Sequence, residues 1–129
     1  MRVAEITNTE GRVVSPDDTI ASVAHHMAEN DVGFLVVARA GRLVGVITDR
    51  DIVVRCVADG REGAAAVVEI MTPDVKFCFD DEEVSVATQR MRDSQVSRLP
   101  VVNRDRGLVG AVSLADAARA NPLGGDDGF

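Results

Sequence analysis

The chain has 129 residues, 46% of them apolar, with 14 Lys+Arg against 21 Asp+Glu for a net charge of −7. This length allows one domain or two very small ones, and the acidic balance, with no Trp or Tyr and four Phe, argues against a nucleic-acid polymer as partner. Apolar runs such as Phe34–Ala38 stop at five residues, far from the roughly 20 of a membrane span, and no leader-like stretch precedes Glu5, so no membrane and a cytoplasmic location are expected.

In chain order, Arg12-Val13-Val14 is a short extended run, ended by Ser15-Pro16-Asp17-Asp18, where proline and carboxylates favour a turn and a helix cap. Ile20, Val23, Ala24, Met27 and Ala28 have the spacing of one helical face. Val32–Ala38 reads as a strand, Ala40-Gly41 as a hairpin turn and Leu43–Ile47 as a second strand. Thr48 then opens a helix whose apolar side carries Ile52, Val53, Cys56 and Val57, and Gly60 and Gly63 end it. The order repeats: Val75–Phe79 as strand, Val84, Ala87 and Met91 as helix face, Leu99–Val102 and Leu108–Val112 as strands, and Ser113–Ala120 as helix. Asn103–Gly107 is a longer polar turn, and the Gly-rich tail 121–129 is expected to be disordered.

Sliding the chain by 64 residues makes the repetition explicit. Val3, Glu5 and Ile6 fall on Val67, Glu69 and Ile70; Met27 falls on Met91, Leu35 on Leu99 and Val37 on Val101. After one inserted residue near Arg104, Leu43-Val44-Gly45 falls on Leu108-Val109-Gly110, Thr48 on Ser113 and Asp51 on Asp116. The expected fold is α/β: two tandem β-α-β-β-α repeats, 1–60 and 61–120, packed face to face with pseudo-twofold symmetry. Neither repeat alone covers both faces of a three-stranded sheet, and two related clefts are expected between them.

The most pointed polar feature recurs after each second strand: Thr48-Asp49-Arg50-Asp51 and Ser113-Leu114-Ala115-Asp116. In structural terms it is a capping box, the hydroxyl accepting from the amide three residues on and the carboxylate reaching back. The same hydroxyl and carboxylate, facing a cleft, can also hydrogen-bond vicinal hydroxyls. These stretches, with Leu99-Pro100-Val101-Val102, Leu43–Ile52 and Glu69-Ile70-Met71-Thr72, resemble a pair of CBS domains, the regulatory module named after cystathionine β-synthase, from Val3 to Ala118.

That resemblance implies a binding module for an adenosyl ligand: AMP, ADP or ATP, or S-adenosylmethionine or NAD. It places Thr48 and Asp51 on the ribose of one site, with Thr72, Phe77, Val96 and Ser97 around the adenine and Arg98 where some relatives bind phosphate. It places Ser113 and Asp116 in a second site with Asn8, Val13, Val32 and Gly33. Departures from the family pattern are Val36 in place of a common proline, Ile6-Thr7-Asn8 opposite Ile70-Met71-Thr72, and Phe34 where Arg98 stands in the other copy. Arg50 joins Arg98 as a candidate phosphate contact.

Other candidates are weaker. His25 and His26 are adjacent on a helix and point about 100° apart, so no shared metal is expected. Met27 and Met91 read as core, and Cys56 and Cys78 as buried thiols in apolar segments, a disulfide being the alternative. No His or Lys lies near Thr48 in sequence to activate it, so no catalysis and no required cofactor are expected. The function expected is therefore ligand sensing by a homodimer that modulates a separate target protein; the alternative is a ligand-independent dimeric interaction scaffold.

Overall fold

The computed structural model describes residues 1–10 and 13–120; Arg12 of the first extended run and the tail 121–129 lie outside the described residues. Two three-stranded sheets and four helices form, in the order predicted.

In the first sheet β1 (Val13–Val14) runs parallel to β2 (Phe34–Arg39), which pairs antiparallel with β3 (Arg42–Thr48), Leu35 lying opposite Ile47. Helix α1 (Ile20–Asn30) makes the crossover between β1 and β2 and buries Ile20, Val23 and Met27 against Leu35, Val37 and Ile47. The cap of α1 is not one of the turn carboxylates. Asp18 Oδ2 accepts from Ser15 N at 2.9 Å and closes the turn, which leaves Thr19 Oγ1 to accept from Ser22 N at 3.1 Å. The hairpin turn Ala40-Gly41 has φ of 53° and 77°, the positive pair of a primed turn that matches strand twist.

Helix α2 (Asp49–Asp51) continues as a π-helical run, Ile52–Val57, closed by a bond from Ala58 N to Val53 O at 2.9 Å. Along this run the expected apolar face divides. Ile52 and Cys56 still turn to the core, but Val53 and Val57 stand 60% and 69% exposed.

The second sheet repeats the first: β4 (Cys78–Phe79) parallel to β5 (Arg98–Val102), and β5 antiparallel to β6 (Leu108–Ser113). Helix α3 (Val84–Ser94) buries Val84, Ala87 and Met91, and α4 (Leu114–Ala120) follows β6. The strand predicted over Val75–Phe79 shrinks to its last two residues, Cys78 and Phe79, which pair with Val101 and Val102. Cys56 and Cys78 are both free and buried. Burial first, then the neighbouring Glu82 carboxylate, pushes the Cys78 thiol up to about 12.

The packing units are offset from the sequence repeats. One gathers the described residues of Met1–Gly11 and Lys76–Phe129, the other those of Arg12–Val75. A duplicated set of backbone bonds explains this. Val3 N donates to Glu82 O and Ala4 N to Asp80 O, while Val84 N donates to Met1 O. In the other unit Val67 N donates to Asp18 O and Val68 N to Pro16 O, while Ile20 N donates to Ala65 O. Val3 and Val67, each opening a short 3-10 turn, are wholly buried. Each sheet is thus completed by the segment that opens the other repeat.

The same segments then lie along the last strand of each sheet. Thr72 exchanges two backbone bonds with Val46, at 2.9 and 3.0 Å, and Asn8 does so with Ala111, at 2.8 and 3.2 Å. Glycine makes this approach possible. A Cβ on Gly45 would stand 2.7 Å from Thr72 O, and one on Gly110 would fall on the carbonyl oxygen of Asn8.

Candidate functional site

In the unit Arg12–Val75 the chain leaves β3 at Thr48, and the hydroxyl–carboxylate pair closes in both directions. Thr48 Oγ1 accepts from Asp51 N at 3.1 Å and Asp51 Oδ2 accepts from Thr48 N at 2.9 Å. The Asp51 side chain is 14% exposed, so a carboxylate sits at a semi-buried helix start with Oδ1 outside the box. Thr72 reaches this corner through its bridge to Val46. Asp49 packs against Gly33: its amide donates to Gly33 O at 3.0 Å, and a Cβ on Gly33 would stand 2.7 Å from Asp49 Oδ2. Arg50 is exposed, its amide turned to Asp49 Oδ1 at 2.8 Å. Val13 and Val32 are exposed apolar side chains of this unit.

The other unit builds the corresponding corner differently. Asp116 N donates to Ser113 Oγ at 3.0 Å, but the Asp116 carboxylate turns to Arg119 and its side chain is 32% exposed. Asn8 lies beside Ala111, its Oδ1 accepting from Glu10 N at 2.9 Å. Ile6, Asn8, Asp116, Arg119 and Ala120 line an open groove of about 490 Å³. Strand register sets Arg98 directly opposite Ser113, and Ser97 O accepts from Leu114 N at 2.8 Å; Val96 and Arg98 are exposed.

Phe77 is held edge-on to Phe79, centroids 5.5 Å apart, with the Arg106 guanidinium 5.2 Å from its ring. Arg90 fixes the backbone there, donating to Phe77 O at 2.9 Å while clasping Glu82 at 2.9 and 3.0 Å. The Arg90 hydrogen bonds hold the Glu82 carboxyl below the usual carboxylate range, and Arg104 does the same for Asp81.

The candidate residues therefore divide by unit. Thr48, Asp51 and Thr72 come together in one, with Val13, Val32, Gly33 and Arg50 on the same unit. Ser113, Asp116, Asn8 and Arg98 come together in the other, with Phe77, Val96 and Ser97 on it.

Sequence reasoning missed Arg55. Its Nη1 lies 3.1 Å from Ile70 O, 3.4 Å from Met71 O and 3.2 Å from Thr72 Oγ1, and its Nε is 3.9 Å from Asp51 Oδ1. The available signal was its place four residues after Asp51, one helical turn on. Chemically, each corner offers a hydroxyl, a carboxylate and a polar side chain from the neighbouring segment, a set that can bind a cis-diol.

A family model described as "CBS domain" matches residues 3–57 and 67–122. The chain is 37% identical over 116 residues to the CBS domain-containing protein YhcV of Bacillus subtilis (strain 168), covering 90% of this chain and 82% of that protein. Among solved structures, Hypoxic Response Protein I with two coordinated zinc ions superposes with a TM-score of 0.84 at 30% identity, over 93% of this chain and 98% of that one. The CBS domain pair of MJ0100 in complex with 5′-methylthioadenosine and S-adenosyl-L-methionine gives 0.80 at 27% identity, over 93% and 94%. PAE2072 from Pyrobaculum aerophilum complexed with AMP gives 0.79 at 28% identity, over 90% and 89%. Among the described residues no group of three or more His, Cys, Asp or Glu could hold a metal such as the zinc of the first structure, and no helix is long and apolar enough to cross a membrane. With both repeats matched across most of its length, the chain belongs to the CBS domain family.

Proposed function

We propose that this CBS pair is a ligand sensor in which the helix starts Thr48/Asp51 and Ser113/Asp116 each hold the ribose of an adenosyl ligand. The ligand class is AMP, ADP or ATP, with S-adenosylmethionine and NAD as related candidates. The observation that carries the reading is a hydroxyl and a carboxylate at the helix start after a glycine-bearing strand in both units, boxed together in the first and with the carboxylate turned to Arg119 in the second, with Thr72 or Asn8 laid beside the strand. The AMP complex of PAE2072 and the S-adenosylmethionine complex of the MJ0100 pair support the ligand class. Arg98, opposite Ser113 in register, is the phosphate contact on a chain whose net charge of −7 otherwise repels anions. The protein acts without catalysis of its own: ligand shifts a conformational equilibrium and thereby the affinity for a separate target protein. It works as a homodimer, for which the exposed Val53, Val54 and Val57 supply an apolar helix face.

Calorimetric titration with AMP, ADP, ATP and S-adenosylmethionine tests the reading. At least one binds the wild type, and Asp51→Ala combined with Asp116→Ala abolishes it; binding that survives the double substitution refutes the site. The alternative, a ligand-independent scaffold, draws on the reciprocal Thr48–Asp51 bonds, which are sufficient as a helix cap. It predicts no binding at all and only the loss of a cap, about 0.5–2 kcal/mol, for Asp51→Ala.

A further inference from the structure

Arg55 links three things that the first candidate site needs in register. Its guanidinium lies beside the Asp51 carboxylate, touches the Thr72 hydroxyl, and donates to the carbonyls of Ile70 and Met71 just before Thr72. The far end of the same helix is tied to the same segment. Arg61 Nε donates to Arg55 O at 3.2 Å while its Nη1 reaches Glu69 Oε1 at 2.8 Å. The π-helical winding begins at Ile52, between Asp51 and Arg55, and short π segments recur at functional sites.

The second unit lacks this arrangement. Ala120 stands where the repeat alignment puts Arg55, and Arg119 pairs with the Asp116 carboxylate, while Asn8 Oδ1 is taken by Glu10 N. The Asp51 carboxylate is accordingly less exposed than Asp116, 14% against 32%, and shares its cation with the segment that carries Thr72.

We infer that Arg55 is the positioning residue of the first site: by holding the Asp51 carboxylate and the Thr72 hydroxyl in fixed relation, it makes the Thr48/Asp51 corner selective for a ribose cis-diol, while the Ser113/Asp116 corner is looser. This rests on the proposed ribose role of Asp51 and names what enforces it. Arg55 acts through Asp51, so its contribution depends on the hydroxyls that Asp51 receives.

The experiment uses the full chain carrying Asp116→Ala, to leave one site, titrated with AMP and with 2′,3′-dideoxy-AMP. The parent binds AMP more tightly than the dideoxy compound. Arg55→Ala weakens AMP about tenfold, in the range typical of groups that orient a ligating residue, and leaves the dideoxy compound unchanged; Arg55→Lys restores most of the AMP affinity. Arg55→Gln retains a donor for Ile70 O and Met71 O without the charge, and serves where the alanine variant fails to fold; it loses the same discrimination. Equal weakening of both ligands marks a merely structural role and overturns the inference, as does unchanged AMP binding. A parent that binds both compounds equally defeats the ribose assignment itself and this inference with it, and a parent that binds no AMP overturns the inference while leaving the ribose assignment to the other adenosyl ligands.

Discussion

Gly45→Ala is the sharpest test of how the first site is assembled. The added Cβ would stand 2.7 Å from Thr72 O and 3.0 Å from Met71 Sδ, against ordinary contact from 3.4 Å, so the backbone of the segment must retreat by about 0.7 Å. The bonds between Thr72 and Val46, at 2.9 and 3.0 Å, cross this gap and cannot both survive such a shift. At about 0.5–1.5 kcal/mol net each, their loss destabilises the unit by about 1–3 kcal/mol, the range typical of overpacking. Gly41→Ala is the control: it has φ of 77° but nothing within 4 Å, so its cost is local backbone strain without displacement of Thr72. Urea unfolding measures the stability, and amide hydrogen exchange at Val46 and Thr72 reads the segment directly. Gly45→Ala lowers the midpoint and exposes both amides, whereas Gly41→Ala leaves their protection intact. A loss below about 0.5 kcal/mol with both amides still protected would refute the argument that glycine here admits the segment.

Two further outcomes follow from other parts of the fold. The Glu82 carboxyl, held low by Arg90, contributes stability in full above the usual carboxylate range and loses it as pH falls through the depressed value; urea midpoints between pH 6 and 3 decline less steeply for Glu82→Gln, and an identical slope contradicts the assignment. Ala40→Asn relieves a left-handed residue with φ of 53° ahead of Gly41 and raises stability by about 0.5–1 kcal/mol, read as a higher urea midpoint; a decrease shows that the hairpin is not limited by its turn.

Much of this architecture was readable because it depends on local pattern. The spacing of Val84, Ala87 and Met91 located the buried face of α3, and the turn dipeptide Ala40-Gly41 located the first hairpin. What escaped depends on competition between nearby partners, or on partners brought in from elsewhere in the chain. Thr19 rather than a carboxylate caps α1 because Asp18 is engaged by Ser15, a competition settled only once the turn closes. Val53 and Val57 stand in solvent because each follows a core-facing residue, Ile52 or Cys56, by one position and so turns off the buried face, which the apolar pattern alone does not separate. Within the candidate site the Thr48–Asp51 box was legible as a four-residue motif. Arg55 was not, because its carbonyl partners lie 15 and 16 residues away. The return of the Asp116 carboxylate to Ser113 was expected by analogy with the first box, and Arg119 takes that carboxylate instead.

The exchange of opening segments has a consequence for how such a chain could arise by duplication. A half-length ancestor carrying one repeat would have owned both the sheet and a segment that completes a sheet, yet here each segment serves the other copy's strands. Two ancestral molecules trading those segments would have formed a reciprocal, arm-exchanged dimer with isologous contacts. Joining the two genes end to end would then convert an intermolecular trade into an intramolecular one without altering a single bond. The cut that divides the sequence most evenly consequently does not separate the two packing units, because it parts each sheet from the segment that finishes it.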